Sequence, residues 1–208
     1  MGEVQITNCE LPIQKPRTEK RLTRIRQVLA RRQKTLTLII NNIHDPHNVS
    51  AILRSCDAFG VQKVHLYYTQ EAFPCLGKKS SASARKWVDC IRHRQAKKMV
   101  AELKEQGFNL VGTGFSERAI PLTEWDFTKP TAVILGNEHR GMDEDLLALV
   151  PDELYIPMQG MVQSLNVSVA AAIILYEAWR QRQIKGLYDQ PSFSEEELKE
   201  LFELWAMK

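Results

Sequence analysis

Gln159-Gly160-Met161-Val162-Gln163-Ser164-Leu165-Asn166-Val167-Ser168-Val169-Ala170-Ala171-Ala172 sets two polar side chains, Ser164 and Asn166, ahead of a run of small and apolar ones. The apolar segment Leu154-Tyr155-Ile156-Pro157-Met158 precedes it and reads as a strand. A long run rich in Ala, Ile and Leu follows and reads as a buried helix. Strand, loop, polar pair and buried helix is the order found where open α/β sheets bind ligands, in the crevice outside the carboxyl ends of the strands. Ser164 and Asn166 frame Leu165 at the helix entrance, where such residues ordinarily cap free backbone N–H groups. Taken alone they read as caps, and a binding role needs support from elsewhere in the chain.

Working outward, Thr35 to Ile40 (TLTLII) is a buried-strand pattern, too short and too β-branched for a helix. Asp45-Pro46 marks a turn, and Asn48 is expected to cap a helix through Ala51, Ile52, Leu53 and Ala58 that stops at Gly60. Val61 to Tyr67 is the next strand, which makes β-α-β. Trp87 to Ile91 reads as a short strand, and Ala96, Met99, Val100 and Leu103 give helical spacing ended by Gly107. Phe108 to Gly114 is a strand whose carboxyl end carries Gly112, Thr113 and Gly114, where another molecule can approach the backbone. Pro121 to Pro130 reads as a connection anchored by Trp125. Thr131 to Leu135 is a fully apolar strand ending in Gly136-Asn137-Glu138. Met142 to Val150 reads as a helix, Glu153 to Ile156 as the last strand, and Leu165 to about Gln183 as the last domain helix, stopped by Gly186. Ser194 and Glu197 form a capping box before a further helix with Leu198, Leu201, Phe202 and Trp205 on one stripe. The fold class is therefore α/β, a mostly parallel sheet with helices on both faces. Three parts follow: a basic arm and helix over 1–34, the main domain over 35–186 and a helical extension over 187–208.

Charge narrows the function. Hydrophobic residues are 44% and charged residues 25% of the 208, the balance of a globular protein with ample core. No apolar run reaches the roughly 18 residues of a membrane span. The N-terminus carries no signal-peptide segment, so a cytoplasmic location is expected. Cys9, Cys56, Cys75 and Cys90 show no CxxC spacing and read as free thiols. His44 and His47 are three apart with Pro46 between them and no third ligand near, so no metal is expected. Neither GxGxxG nor GxxxxGK[ST] occurs. The net charge of +3 says little, but Lys15 to Lys34 holds nine cations against the single acid Glu19. Leu22, Ile25, Val28 and Leu29 form one apolar stripe there and leave much of the arginine set outside. Arg21, Arg24, Arg31 and Arg32, with Arg180 and Arg182 at the end of the last domain helix, are the candidate phosphate contacts. A solvated helix face is the alternative. Lys78 to Arg85 (KKSSASAR), helix or loop, is a second basic segment able to meet RNA.

Two further stretches lift the opening one out of ambiguity: Asn42-Ile43-His44-Asp45-Pro46-His47-Asn48-Val49-Ser50-Ala51-Ile52-Leu53-Arg54-Ser55 and Ile134-Leu135-Gly136-Asn137-Glu138-His139-Arg140-Gly141. In this order the three resemble the signature motifs of the SPOUT family of S-adenosylmethionine-dependent RNA methyltransferases. The likeness runs from about Arg21 to Tyr188 and is nearest to the TrmH branch, the tRNA (guanosine-18) 2′-O-methyltransferases. The resemblance implies a C-terminal trefoil knot, which ordinary connection rules never suggest. It implies S-adenosylmethionine bound by Thr113, Gly136, Ile156, Met158 and Leu165, whose bland alternative is core packing. It implies functional roles for Asn48, Arg54, Glu138, Ser164 and Asn166, and a homodimer that shares its active site. The family assigns activation of the hydroxyl to the residue at Arg54, yet a guanidinium stays protonated in proteins. Arg54 can instead clamp a phosphate, and the proton acceptor is left open. tRNA is the expected partner, because ribosomal-RNA relatives usually carry a distinct N-terminal substrate domain and only about 34 residues precede the first strand here. The alternatives are 2′-O-methylation of ribosomal RNA, or a non-catalytic RNA-binding protein on the same fold.

Overall fold

The computed structural model describes residues 18–74, 84–138 and 140–208. Six helices, α1 (Glu19–Leu29), α2 (Pro46–Ala58), α3 (Ala96–Glu105), α4 (Glu144–Leu149), α5 (Val167–Ile184) and α6 (Glu195–Met207), surround a seven-stranded sheet. Its strands are β1 (Leu36–Asn41), β2 (Lys63–Tyr67), β3 (Asp89–His93), β4 (Asn109–Thr113), β5 (Ile120–Pro121), β6 (Thr131–Leu135) and β7 (Glu153–Tyr155). The order across the sheet is β3-β2-β1-β6-β4-β7-β5, and every neighbouring pair is parallel.

The period of two along each strand divides the core into two layers. Leu36, Leu38 and Ile40 of β1 pack with Val64, Leu66, Val133 and Leu135 against α2 and α5. Ile39, Tyr67, Ala132 and Ile134 point the other way, against Met99 and Leu103 of α3 and Leu146 of α4. Strands buried on both faces read as continuous apolar runs, which is why TLTLII and TAVIL stand out in the sequence. A third cluster joins α1 to α6: Ile25 and Leu29 pack with Trp205, flanked by Leu198, Leu201 and Phe202. The capping box of α6 forms as expected, Ser194 accepting from the Glu197 N–H.

Several boundaries differ from the sequence reading. Asp45 caps α2, its carboxylate accepting from His47 N at 2.8 Å, with Pro46 in the first turn where its missing N–H costs nothing. Asn48, expected as the cap, sits inside the helix with its amide free for other partners. β5 lies within or beside a segment read only as a connection. Two residues with a proline carry no alternation, and the edge of a sheet tolerates the lost donor. α4 starts at Glu144 with Asp143 at its N-cap, whose carboxylate accepts from Asn42 and Thr69 instead of from the helix. The N-terminal arm to residue 17, most of KKSSASAR, Cys9 and Cys75 lie outside the described residues. Cys56 and Cys90 are free thiols.

Two arginines expected on the RNA surface are instead fully buried. Arg32 donates to Val61 O at 2.8 Å, pairs with Asp57 and lies 5.0 Å over the Trp205 ring. Arg182 uses all five N–H groups: Nε to Phe127 O, Nη1 to Gln33 Oε1 and Thr35 Oγ1, and Nη2 to Thr35 O and Lys129 O, at 2.8–3.1 Å. Burial draws its pKa down to about 10, so it is still charged at neutral pH. Neither guanidinium is available to a phosphate, and the reading of Arg32 and Arg182 as RNA contacts is corrected. A residue at the end of an amphipathic stripe turns inward as easily as outward, and no period distinguishes the two.

His65 on β2 is the other buried titratable group of note, its Nδ1 2.9 Å from His93 Nε2. Burial, with smaller contributions from His93 and Lys63, holds its pKa down at about 4. The unfolded chain, with a histidine pKa near ~6.5, binds more protons below that pH. The contribution of His65 is thus present above about pH 6.5 and lost as pH falls towards about 4, on the order of 3 kcal/mol in full. Denaturant unfolding at stepped pH should show that decline, and His65→Gln should flatten most of it. An unchanged slope in the variant would place the acid sensitivity elsewhere.

Candidate active site

β6, β4 and β7 are neighbours, so their carboxyl ends open side by side. The loops leaving them, with the start of α5, enclose a cavity of about 470 Å³. Thr113, Gly136, Ile156, Met158 and Leu165 all line it, as do Glu138, Ser164 and Asn166. Leu135, Leu154, Val167, Ala170 and Ile174 complete a largely apolar wall. Thr113 Oγ1 donates to Ile134 O at 3.0 Å, which ties the β4 loop to β6 below the cavity. Phe115 and Asn137 also line it and were missed; an exposed Phe and a motif Asn carry no periodic signal.

At the cavity mouth the three motifs meet through side chains. Asn166 Nδ2 donates to Asn48 Oδ1 at 3.1 Å, and Asn48 Nδ2 donates to Glu138 Oε1 at 2.8 Å. Asn166 Oδ1 accepts from Ser168 N at 2.8 Å and from its hydroxyl at 2.6 Å, so Asn166 caps α5 as well. The capping and binding readings therefore hold together: one atom caps while the amide nitrogen links the motifs. Arg54 is exposed on α2 nearly two turns beyond Asn48 and does not line the cavity. The structure thus joins Asn48, Glu138 and Asn166, sets Ser164 beside them and leaves Arg54 outside.

Beneath this relay lies a polar network that sequence reasoning did not find. Asn42 is buried with φ of +46°, a conformation Asn tolerates better than most residues. Its Oδ1 accepts from the N–H groups of Thr69, Gln70 and Glu71 at 3.0–3.3 Å. Its Nδ2 donates to Asp143 Oδ2 at 2.6 Å and Thr69 Oγ1 at 3.0 Å, and its carbonyl accepts from Asn137 Nδ2 at 2.6 Å. One residue so holds the loops after β1, β2 and β6. Glu71, placed by this loop, pairs with His44 at 3.3 Å and Arg140 at 3.6 Å.

Of the remaining candidate RNA contacts, Arg21, Arg24 and Arg31 are exposed. Arg180 is also exposed and is held by Glu177 through Nε and Nη2, both at 2.8 Å. That bond raises the Arg180 pKa. Among the described residues no cluster of three His, Cys, Asp or Glu could hold a metal, and no helix is long and apolar enough to cross a membrane.

The model of the SpoU rRNA methylase family matches residues 35–176. A tRNA (guanosine(18)-2′-O)-methyltransferase of Thermus thermophilus is 47% identical over 192 residues, 92% of this chain and 98% of that protein. The crystal structure of the Aquifex aeolicus TrmH/SpoU tRNA modifying enzyme superposes with a TM-score of 0.85 at 41% identity, covering 91% of this chain and 96% of that one. The Streptomyces viridochromogenes methyltransferase AviRb, solved in complex with the cofactor AdoMet, gives a TM-score of 0.66 at 28% identity over 74% of this chain and 62% of that one.

Gly136 shows how tightly the cavity floor is built. A Cβ there would lie 2.5 Å from Gly141 C and 2.7 Å from Met142 N, backbone atoms closed by paired Asn137 and Gly141 hydrogen bonds of 2.8 and 2.9 Å. Gly136→Ala should therefore lower stability by about 1–3 kcal/mol through overpacking. Gly160→Ala, which meets nothing within 4 Å, should leave it unchanged. Equal thermal midpoints for both variants would contradict the packing described.

Proposed function

The chain belongs to the SpoU rRNA methylase family, and from that membership we propose that it is an S-adenosylmethionine-dependent tRNA 2′-O-methyltransferase acting at guanosine-18. One observation carries the reading: Asn166, Asn48 and Glu138, each from a different motif, are hydrogen-bonded in series at the mouth of an apolar cavity. A non-catalytic RNA-binding protein has no need of that cavity. Ribosomal RNA is the second substrate reading, and the similarity to a guanosine-18 enzyme over nearly its whole length favours tRNA.

The cavity fits the cofactor. Apolar walls from Leu135, Ile156, Leu165 and Ile174 suit an adenine ring, and Gly136 leaves its backbone uncovered by a side chain. Met158 and Thr113 close the sides. When bound, S-adenosylmethionine supplies a methyl group on a sulfonium, which departs as a neutral thioether. The chain's own task is to position a ribose 2′-hydroxyl in line and to manage its proton. Glu138, held by Asn48, and Asn166, fixed as a cap, orient loop backbone and substrate. Ser164 supplies a hydroxyl at the same mouth. Arg54 clamps the phosphate beside the target ribose with its forked donors, and that phosphate helps accept the proton. Arg21, Arg24, Arg31 and Arg180 bind more distant phosphates.

The same proposal includes a homodimer, the trefoil knot of the family and a cytoplasmic location. Arg54 lies outside its own chain's cavity, so a shared site brings it to the cofactor loop of a second copy. Val169 and Tyr176 on α5 are 47% and 53% exposed and lie on one face of the helix, an apolar stripe suited to such a contact. Twofold pairs are the commonest closed assemblies.

Methylation of bulk tRNA with labelled cofactor, followed by mapping of the product, tests the activity; label confined to ribosomal RNA would move the substrate. Calorimetry should give one S-adenosylhomocysteine per chain, and Leu165→Arg should abolish it. Arg54→Ala should lose methyl transfer by at least about 10²-fold with cofactor affinity unchanged, and Arg54→Lys should fail too. Near-normal turnover in Arg54→Ala would remove that residue from the mechanism.

Mixing Arg54→Ala chains with Leu165→Arg chains tests the dimer. A shared site returns one intact site per mixed dimer and part of the activity. Mixed dimers that form and stay inactive would show that each chain builds its own site.

A further inference from the structure

A second cavity lies away from the strand ends. A groove of about 970 Å³ lies between α1, the end of α2, the end of α5 and the turn after it. Arg24 and Arg31 line one wall, and neither makes an ion pair among the described residues. Trp179, Phe59 and Tyr188 line it as well, together with the exposed Gln183. Two acids also line it. Asp57 is already bound by Arg32, which leaves Asp189 as the one unmatched negative group against two free guanidiniums.

The aromatic side is held in place. Trp179 packs on Tyr176 at 5.5 Å between ring centroids, and Tyr176 meets Phe59 edge-on at 6.3 Å. The Tyr188 hydroxyl donates to Phe59 O at 3.0 Å. Gly60, with φ of +82°, keeps the floor open: a Cβ there would lie 2.8 Å from Arg31 O and 3.6 Å from the Tyr188 ring. Aromatic rings held in place, an exposed amide and guanidiniums without an ion pair in one groove are together what an unstacked nucleotide needs. The ring takes the base face, the amide reads its edge and the arginines take the phosphate.

We infer that this groove takes an unpaired nucleotide of the RNA strand, with its base against Trp179 and its phosphate on Arg24 and Arg31. The inference rests on the reading of the chain as a tRNA methyltransferase and adds a base-stacking slot to a surface otherwise made of phosphate contacts. The position of the groove agrees with it. Arg54 and Ala58 are one turn apart on α2, so the groove begins beside the residue proposed to clamp the target phosphate. The stacked base therefore belongs to a nucleotide near the methylated one along the strand, not to the methylated one itself.

The test uses the full chain and a full-length tRNA transcript. Trp179→Ala should raise KM for tRNA about tenfold, within the range for loss of a stacked base, and the loss should fall on KM rather than kcat. Its salt dependence of binding should keep the parental slope, whereas Arg31→Ala should flatten that slope by about one unit. Trp179→Phe should restore most of the affinity. A sedimentation profile and S-adenosylhomocysteine affinity matching the parent exclude a change of assembly or fold. If Trp179→Ala is misfolded, Gln183→Ala, at an exposed position, replaces it and should raise KM several-fold. A parental KM in whichever variant folds, or a loss accompanied by a changed slope in Trp179→Ala, overturns the slot. A parent chain that methylates no tRNA overturns the underlying reading, and the slot with it. An active parent with an unaffected variant overturns the slot alone.

Discussion

α5 is tied down at both ends by single side chains, and the architecture of the site follows from that. At its end Arg182 places five N–H donors on two stretches of chain, Gln33 to Thr35 and Phe127 to Lys129. A buried guanidinium with no carboxylate partner is tolerable only when every donor is satisfied, and here each one is. At its start Asn166 caps the helix and reaches Asn48 on α2. An 18-residue helix spans about 27 Å, so these two anchors connect opposite ends of the sheet. The loop between β7 and α5 is thereby stretched over the ends of β4 and β6, where it closes the cavity.

Adjacent strands alone do not make that cavity. The loops after β1, β2 and β6 must also keep station, and Asn42 supplies this with one left-handed residue and hydrogen bonds from both its amide and its carbonyl. Glycine carries a similar constraint at Gly136, where two backbones touch. The side chains of the candidate site therefore rest on Asn42 and Gly136, which fix the loops beneath them. Binding and positioning are divided between an apolar hollow and a polar rim, the division expected of small-molecule sites.

Much of the sheet was legible because parallel strands covered on both faces leave uninterrupted apolar runs, and because Gly60, Gly107 and Gly186, all at positive φ, end their helices. β5 was not, since two residues cannot carry a period. The cavity-lining residues were legible through the order of three motifs, not through any one of them; Asn166 alone reads as a cap, which it also is. Arg32 and Arg182 mark where such reading stops. Their burial depends on distant carbonyls and a carboxylate that no local pattern reveals. Arg26 shows the surface version, paired with Glu19 and lying over Phe202 of α6. Asn48 marks a smaller error of the same kind: Asp45 took the cap, and the displaced Asn became a link between motifs.

The clamp made by Arg182 also orders the life of the chain in time. Its partners Gln33 and Thr35 lie 149 and 147 residues earlier, so β1 is synthesised long before the residue that secures its entry. A nascent chain emerging at about 5–20 residues per second spends several seconds with β1 made and its lock absent. Contacts so distant in sequence are slow to form, because loop closure must precede any gain. The unfinished molecule therefore lacks the contact that closes the chain entering β1, and α5 completes the fold rather than merely extending it.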